Sequence, residues 1–148
     1  MTDTFGFGDR LKEFLIEKSL SSAKFGEQIG VTKATVNGFL RGAHLPNTMV
    51  FIKIVEFFNC SADFLLGLTD DYAEKTTTCS VPPFGKRIRA ALEISGGTQY
   101  GLEKTLNVSG SIVFSWLNNR SVPSVSSLAK ISSYTGMTID ALLGREEL

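Results

Sequence analysis

Apolar positions along the chain recur at helical spacing, and the polar residues before them mark where helices begin. Runs with apolar residues three or four positions apart are preceded by Ser, Thr or Asn, whose side chains can accept hydrogen bonds from first-turn N–H groups. In the first half of the chain these start positions are Ser21, Thr32, Asn47 and Ser61, and in the second half Thr98, Ser109, Ser124 and Thr138. With a first helix opening at Phe7 or Phe84, the pattern predicts five short helices in each half and no strand, an all-α fold.

The two halves also resemble each other residue by residue. An offset of 77 residues aligns Phe7 with Phe84 and continues without a gap to Leu65-Leu66-Gly67 against Leu142-Leu143-Gly144. A period this long, seen twice, indicates duplication of a whole domain and not a solenoid. We therefore expect domains at residues 1–67 and 84–148, joined by a linker at residues 68–83 that could reach on the order of 50 Å if stretched.

A sharp corner is predicted between the second and third helices of each copy. Gly30 and Asn107 stand at this corner and tolerate the positive φ that turns one helix against the next. The apolar residues on either side are spaced so that two crossing helices lock together. This arrangement is a helix-turn-helix, whose second helix can enter the major groove of DNA.

The residues around this corner resemble a known family. The segment from Leu20 to Thr32, LSSAKFGEQIGVT, is similar to the helix-turn-helix of the Cro/C1 phage-repressor-type (XRE-like) family, and so is the continuation through Arg41-Gly42, Pro46 and residues 63–67. The second copy is similar along its whole length. The resemblance implies two tandem five-helix, lambda-repressor-like domains, of a type that usually represses transcription as a dimer on a palindromic operator.

Residues for DNA contact follow from which side of the third helix faces outward. Lys33 and Asn37 are the expected base readers, because Lys suits guanine O6/N7 and Asn can pair bidentately with adenine. Ser22 and Thr32, beside helix N-termini, are expected to meet phosphate. The alternative is that these are solvated polar residues on a short helix. The full set predicted for the first copy is Ser22, Thr32, Lys33, Ala34, Thr35, Asn37, Gly38 and Arg41.

The second copy departs from the pattern. Glu103 occupies the position of Gly26, where a large side chain must bend outward or push the helices apart, and Phe114 replaces Asn37. Yet residues 84–148 carry seven basic against five acidic side chains, a net charge of +2 that favours phosphate contact. DNA binding and a protein interface therefore both remain open for this copy. Its candidate DNA contacts are Gln99, Ser109, Ser111, Ser115, Asn118 and Arg120.

A second surface is predicted on the fourth helix of the first copy. This helix carries apolar residues nearly all round, as expected of a helix covered on more than one side. The flank made by Met49, Ile52 and Val55 is predicted to pack on the other copy or on a second chain. Phe114 of the second copy is a further candidate interface residue.

Composition bounds these functions further. The 148 residues carry no formal net charge, and 43% of them are apolar, so any DNA binding must come from local placement of charge. No stretch approaches the roughly 20 apolar residues of a membrane span, and no secretory pattern, metal-ligand spacing, cofactor motif or catalytic motif is present.

Two functions follow for the whole chain. The first is a cytoplasmic, non-enzymatic repressor of the phage or prophage type, which binds double-stranded DNA as a homodimer or as an intramolecular pseudo-dimer. The second is a protein-interaction module in which the degenerate second copy mediates dimerisation or partner docking.

Overall fold

The computed structural model describes residues 6–79 and 84–148, and within these ranges the chain is helical, with one isolated bridge between Cys60 and Glu74. The all-α prediction is confirmed for these ranges, while residues 1–5 of the first predicted domain and residues 80–83 of the predicted linker lie outside them. The chain divides into unit 1, Met1–Thr76, and unit 2, Thr77–Leu148. The helices are α1 (Phe7–Glu17), α2 (Ser22–Ile29), α3 (Lys33–Leu40), α4 (Thr48–Phe58), α5 (Ala62–Leu65), α6 (Gly85–Ser95), α7 (Gln99–Leu106), α8 (Gly110–Leu117), α9 (Val125–Thr135) and α10 (Ile139–Leu142).

Helix positions recur along the chain. The bounds of α2 to α5 reappear 77 residues later as those of α7 to α10, the same offset that aligns the two halves of the sequence. The first helix of unit 2 begins at Gly85, one residue later than predicted, because Phe84 has φ −102° and ψ 21° and caps the helix instead of joining it.

The predicted helix starts carry the expected caps. Each predicted Ser, Thr or Asn except Ser109 accepts a hydrogen bond from a first-turn N–H group, as Thr32 does from Thr35. The helix ends agree too, since Gly30 and Asn107 terminate α2 and α7 with φ values of 79° and 54°. Each cap of this kind contributes roughly 1 kcal/mol, which helps helices of eight residues to form at all.

An aromatic core holds the helices of unit 1 together. Phe7 of α1 is fully buried and meets Phe39 of α3 at 5.9 Å and Phe51 of α4 at 6.2 Å between ring centroids. Phe25 of α2 stacks on Phe58 of α4 at 5.4 Å. These contacts anchor α2 to α4 and α3 to α1. Unit 2 builds its core with fewer rings, from Phe84, Ile88, Leu102, Leu128 and Ile131.

The predicted linker is shorter than sequence alone suggests, because residues 70–75 pack on unit 1. We call these residues the strap. The carbonyl of Ala73 accepts from the Ser61 N–H at 3.2 Å, and the Lys75 N–H donates to the Asn59 carbonyl at 2.7 Å. Asp70 forms an ion pair of 2.9 Å with Arg10. Residues 70–75 of the predicted linker therefore pack on unit 1.

Unit 2 contains a buried ion pair near the end of the chain. Arg145 and Asp140 pair at 2.8 Å with almost no exposed side-chain surface. The Arg145 Nε also donates to the Thr77 carbonyl at 3.0 Å. Thr77 is therefore tied to unit 2, which further shortens the free chain that a pseudo-dimer could use to span two half-sites.

Candidate nucleic-acid interface

The corner between α2 and α3 depends on the absence of a side chain at Gly26. A Cβ there would lie 2.5 Å from the carbonyl oxygen of Val31, closer than van der Waals contact allows. The Gly26 carbonyl itself accepts from the N–H groups of Gly30 and Val31 at 2.8 and 2.9 Å. The backbone of α2 at Gly26 therefore lies directly against the turn that leads into α3, which sets the direction in which α3 begins.

The exposed side of α3 carries the two predicted base readers. Lys33 and Ala34 are exposed in its first turn, Arg41 is exposed at its C-cap, and Thr35 and Asn37 are half-buried. The Ser22 hydroxyl donates to Oδ1 of Asn37 at 2.8 Å across the corner. This bond fixes the amide group, leaves Nδ2 as a donor and leaves Oδ1 a second lone pair.

Gly38 does not face outward, so that expectation is wrong. It is buried, and a Cβ at this position would lie 2.4 Å from Nε2 of His44. The His44 ring folds back from the loop after α3 and meets Phe39 edge to face at 5.3 Å. Helical spacing alone placed Gly38 among the outward residues and could not anticipate a loop side chain that covers it.

The residues predicted to meet phosphate stand at helix N-termini. Ser22 is the first residue of α2, and Thr32 is the N-cap of α3. The Thr32 oxygen already accepts from the Thr35 N–H at 3.1 Å. Because the caps satisfy only part of each first turn, the remaining N–H groups and the dipole of each helix still favour an anion there.

The matching end of α8 in unit 2 is closed by a carboxylate. Glu103 bends towards Gly110, and both its carboxylate oxygens lie 3.2 Å from where a Cβ of Gly110 would stand. Gln99, a candidate DNA contact, donates from Nε2 to this carboxylate at 3.1 Å. The N-terminus of α8 therefore already has negative charge beside it, whereas Gly26 stands at the equivalent position beside α3.

The outer face of α8 is apolar, and its polar neighbours bind within unit 2. Ile112 and Phe114 keep 44% and 46% of their surface exposed, and the Arg120 guanidinium lies 5.5 Å from the Phe114 ring centroid. The amide Nδ2 of Asn118 donates to the carbonyl of Phe114. The three candidate serines form hydroxyl pairs, Ser109 with Ser111 at 3.0 Å and Ser115 with Ser121 at 2.7 Å.

Two arginines of unit 2 donate hydrogen bonds to its own backbone. Arg87 donates from Nε to the Ala141 carbonyl at 2.7 Å, and Arg89 does the same to the Leu117 carbonyl at 3.1 Å. Arg145 belongs to the buried ion pair. Three of the seven basic side chains of residues 84–148 therefore make contacts within unit 2, which weakens the argument for phosphate contact through them.

The predicted interface on α4 is largely covered. Ile52 and Val55 are buried, with 7% and 0% of their surface exposed, whereas Met49 keeps 50%. Ile52 and Val55 therefore have little surface left for a second chain. Of the four candidate interface residues, Met49 and Phe114 remain exposed.

The described residues contain no group of three or more His, Cys, Asp or Glu side chains that could hold a metal ion. None of the described helices has the length and hydropathy needed to cross a membrane.

Comparison with known proteins gives a family for unit 1. No curated protein and no solved structure matches the chain. Residues 11–65, from α1 through α5, match the family model described as helix-turn-helix. The match supports the assignment of unit 1 to the helix-turn-helix family of DNA-binding regulators, the family that its corner residues resemble.

Proposed function

We propose that the chain is a sequence-specific regulator of transcription, a repressor of the phage or prophage type that acts in the cytoplasm on double-stranded DNA. Unit 1 places α3 in the major groove. The observation that carries the proposal is the Ser22–Asn37 hydrogen bond, which holds an amide in place beside Lys33 on the exposed side of α3. We assign no catalytic role to Ser22, Lys33 or Asn37.

Base recognition then divides between two side chains. Lys33 donates to O6 and N7 of guanine. Asn37 donates from Nδ2 to adenine N7 and accepts from adenine N6 at the free lone pair of Oδ1. Each such contact contributes roughly 1–3 kcal/mol of discrimination against the wrong base.

Phosphate contacts set the register of α3 on the duplex. The N-termini of α2 and α3 face the backbone on the two sides of the corner, and Arg41 adds a charge beyond the end of α3. Contacts of this kind supply affinity and orientation without reading sequence.

For unit 2 we propose protein docking, the role that the outer face of α8 favours. Gly110 and Phe114 stand where α3 has the readers Lys33 and Asn37, Ile112 stands where α3 has Thr35, and Glu103 places negative charge where phosphate would approach. Exposed apolar residues rimmed by polar ones are typical of protein interfaces. In this scheme unit 2 joins two chains into the dimer that a palindromic operator requires.

The division of labour can be tested with two matched arginine variants of the full chain. A duplex is first selected from a random-sequence pool, and its affinity is then measured against salt concentration for Arg41→Ala and Arg120→Ala. Losing a phosphate contact at Arg41 should flatten the slope of log K against log salt by about 0.9. Arg120→Ala should leave the slope unchanged, since its guanidinium lies over Phe114.

The opposite pattern would reverse the assignment. A flatter slope for Arg120→Ala with no change for Arg41→Ala would make unit 2 the DNA-binding unit. If no duplex is enriched over the starting pool, the proposed function itself is wrong.

A further inference from the structure

A cavity of about 300 Å³ lies on unit 1, beside α1 and α5. It is lined by three aromatic rings and two carboxylates, from Glu13, Phe14, Glu17, Phe64 and Tyr72. None of these residues takes part in the DNA contacts proposed above. The volume falls at the lower end of the range for small-molecule sites, about 300–1,000 Å³.

The three rings form steeply inclined walls. Phe14 and Phe64 meet at 6.2 Å and 81°, and Phe64 and Tyr72 meet at 5.2 Å and 83°. Ring faces carry the negative part of the aromatic quadrupole and attract cations. The unit already uses this attraction, because the Arg10 guanidinium lies 3.9 Å from the Phe64 centroid.

The two carboxylates lie beside the rings without a direct ion pair. Glu13 and Glu17 are one helical turn apart, a like-charge spacing that destabilises a helix. Glu17 is also the last residue of α1, where the helix dipole disfavours an acid and the last turn has no basic residue. Across residues 6–79 and 84–148, neither carboxylate has a hydrogen-bond or ion-pair partner.

Tyr72 forms the solvent-exposed wall of the cavity. Partial burial, and then the negative charges of Cys60, Glu74 and Glu17, raise the pKa of its hydroxyl above the ordinary value of 10. The ring nevertheless keeps 55% of its surface exposed, so the cavity can be reached from solvent.

Unit 2 shows that the fold does not need this lining. At an offset of 77, Glu13, Phe14, Glu17 and Phe64 correspond to Ala90, Ala91, Ile94 and Ala141. None of these four residues has an aromatic ring or a carboxylate, although α6 and α10 are the first and last helices of unit 2, as α1 and α5 are of unit 1. The rings and carboxylates are thus a property of unit 1 that unit 2 does not share.

We propose that this cavity binds a small organic cation with an alkylated ammonium head, of about the size of choline. The rings would contact the methyl groups around the nitrogen, and Glu13 and Glu17 would supply the opposite charge. The site goes beyond the proposed DNA-binding function and does not depend on it.

Choline and its neutral isostere 3,3-dimethyl-1-butanol test the proposal directly. The two have nearly the same shape, and a carbon replaces the charged nitrogen in the alcohol. Titration calorimetry on the full chain should give choline an affinity about ten-fold higher, the contribution of a partly desolvated cation–π site. Equal affinities would reduce the cavity to an apolar cleft and overturn the proposal, as would the absence of saturable choline binding.

Variants assign the binding to this cavity. Glu13→Gln/Glu17→Gln should weaken choline binding by up to about five-fold, in keeping with exposed ion pairs. Tyr72→Ala should weaken it further, whereas Tyr72→Phe should retain it. The matched control is Glu27→Gln on α2, outside the cavity. If the cavity variants bind choline like the control while their melting temperatures are unchanged, choline binds elsewhere and the assignment is wrong.

Discussion

Replacing Gly26 with alanine should lower the free energy of unfolding by about 1–3 kcal/mol, the usual cost of forcing extra volume into a close contact. The added methyl group would meet the Val31 carbonyl oxygen at 2.5 Å. The methyl carbon is fixed to Cα and the carbonyl belongs to the backbone, so no side-chain rotation can relieve the contact. The helix preference for alanine over glycine, about 0.5–1 kcal/mol, acts in the opposite direction and is too small to compensate.

The same substitution should also weaken DNA binding. Relief of the contact requires α2 and α3 to move apart, and the 2.8 Å Ser22–Asn37 hydrogen bond spans these two helices. Denaturant unfolding followed by circular dichroism measures the first effect, and affinity for the selected duplex measures the second.

The control for this substitution is Gly110→Ala in unit 2. There the added Cβ would meet the carboxylate of Glu103 at 3.2 Å, the far end of a side chain that can move. We expect a change within about 0.5 kcal/mol. If Gly26→Ala were as stable as the control variant, the corner would not depend on backbone contact.

Replacing Lys33 or Asn37 with alanine should each reduce affinity for the selected duplex by about 5- to 150-fold, the equivalent of 1–3 kcal/mol per base contact. Affinity for a scrambled duplex should fall far less for Asn37→Ala, because an uncharged base reader adds little to non-specific binding. Competition binding with both duplexes measures the two effects together.

Stability should be almost unaffected by Lys33→Ala, since Lys33 is exposed, whereas Asn37→Ala should cost about 1 kcal/mol through loss of the Ser22 hydrogen bond. Gln28→Ala, which removes an exposed amide from α2, is the matched control and should bind like the wild type. A variant of Lys33 or Asn37 that loses both duplexes equally would indicate phosphate contact in place of base reading.

Local sequence signals predicted the helices and the corner well, because the physical causes are local. Thr32 caps α3 by accepting a hydrogen bond from the N–H group of Thr35, three residues later. Gly30 turns the chain because glycine tolerates its positive φ. The apolar residues on either side of the corner were expected to pack inward, as the complete burial of Phe25 and Val36 confirms.

Sequence reasoning failed where distant segments come together. The strap has the composition of a linker, and only the assembled unit reveals that Tyr72 meets Phe14 and Phe64. Likewise, His44 covers Gly38, and Glu103 turns towards Gly110. Both contacts depend on the direction of a side chain, which residue spacing does not encode.

Charge counting failed for a related reason. Residues 84–148 have more basic than acidic side chains, but two of the basic ones, Arg87 and Arg89, donate to carbonyl groups at the ends of helices in their own unit. A formal charge says how many cations a domain has and not which of them face a partner.

Removal of N7 from the purines of the selected duplex tests most directly whether α3 reads the major groove through Lys33 and Asn37. Substitution by 7-deazaguanine and 7-deazaadenine takes away one acceptor that each side chain is proposed to use and leaves the minor-groove edges intact. Wild-type affinity should fall about ten-fold, while Lys33→Ala/Asn37→Ala should bind both duplexes equally. Equal affinity of the wild type for the two duplexes, or an undiminished loss in the double variant, would contradict the account.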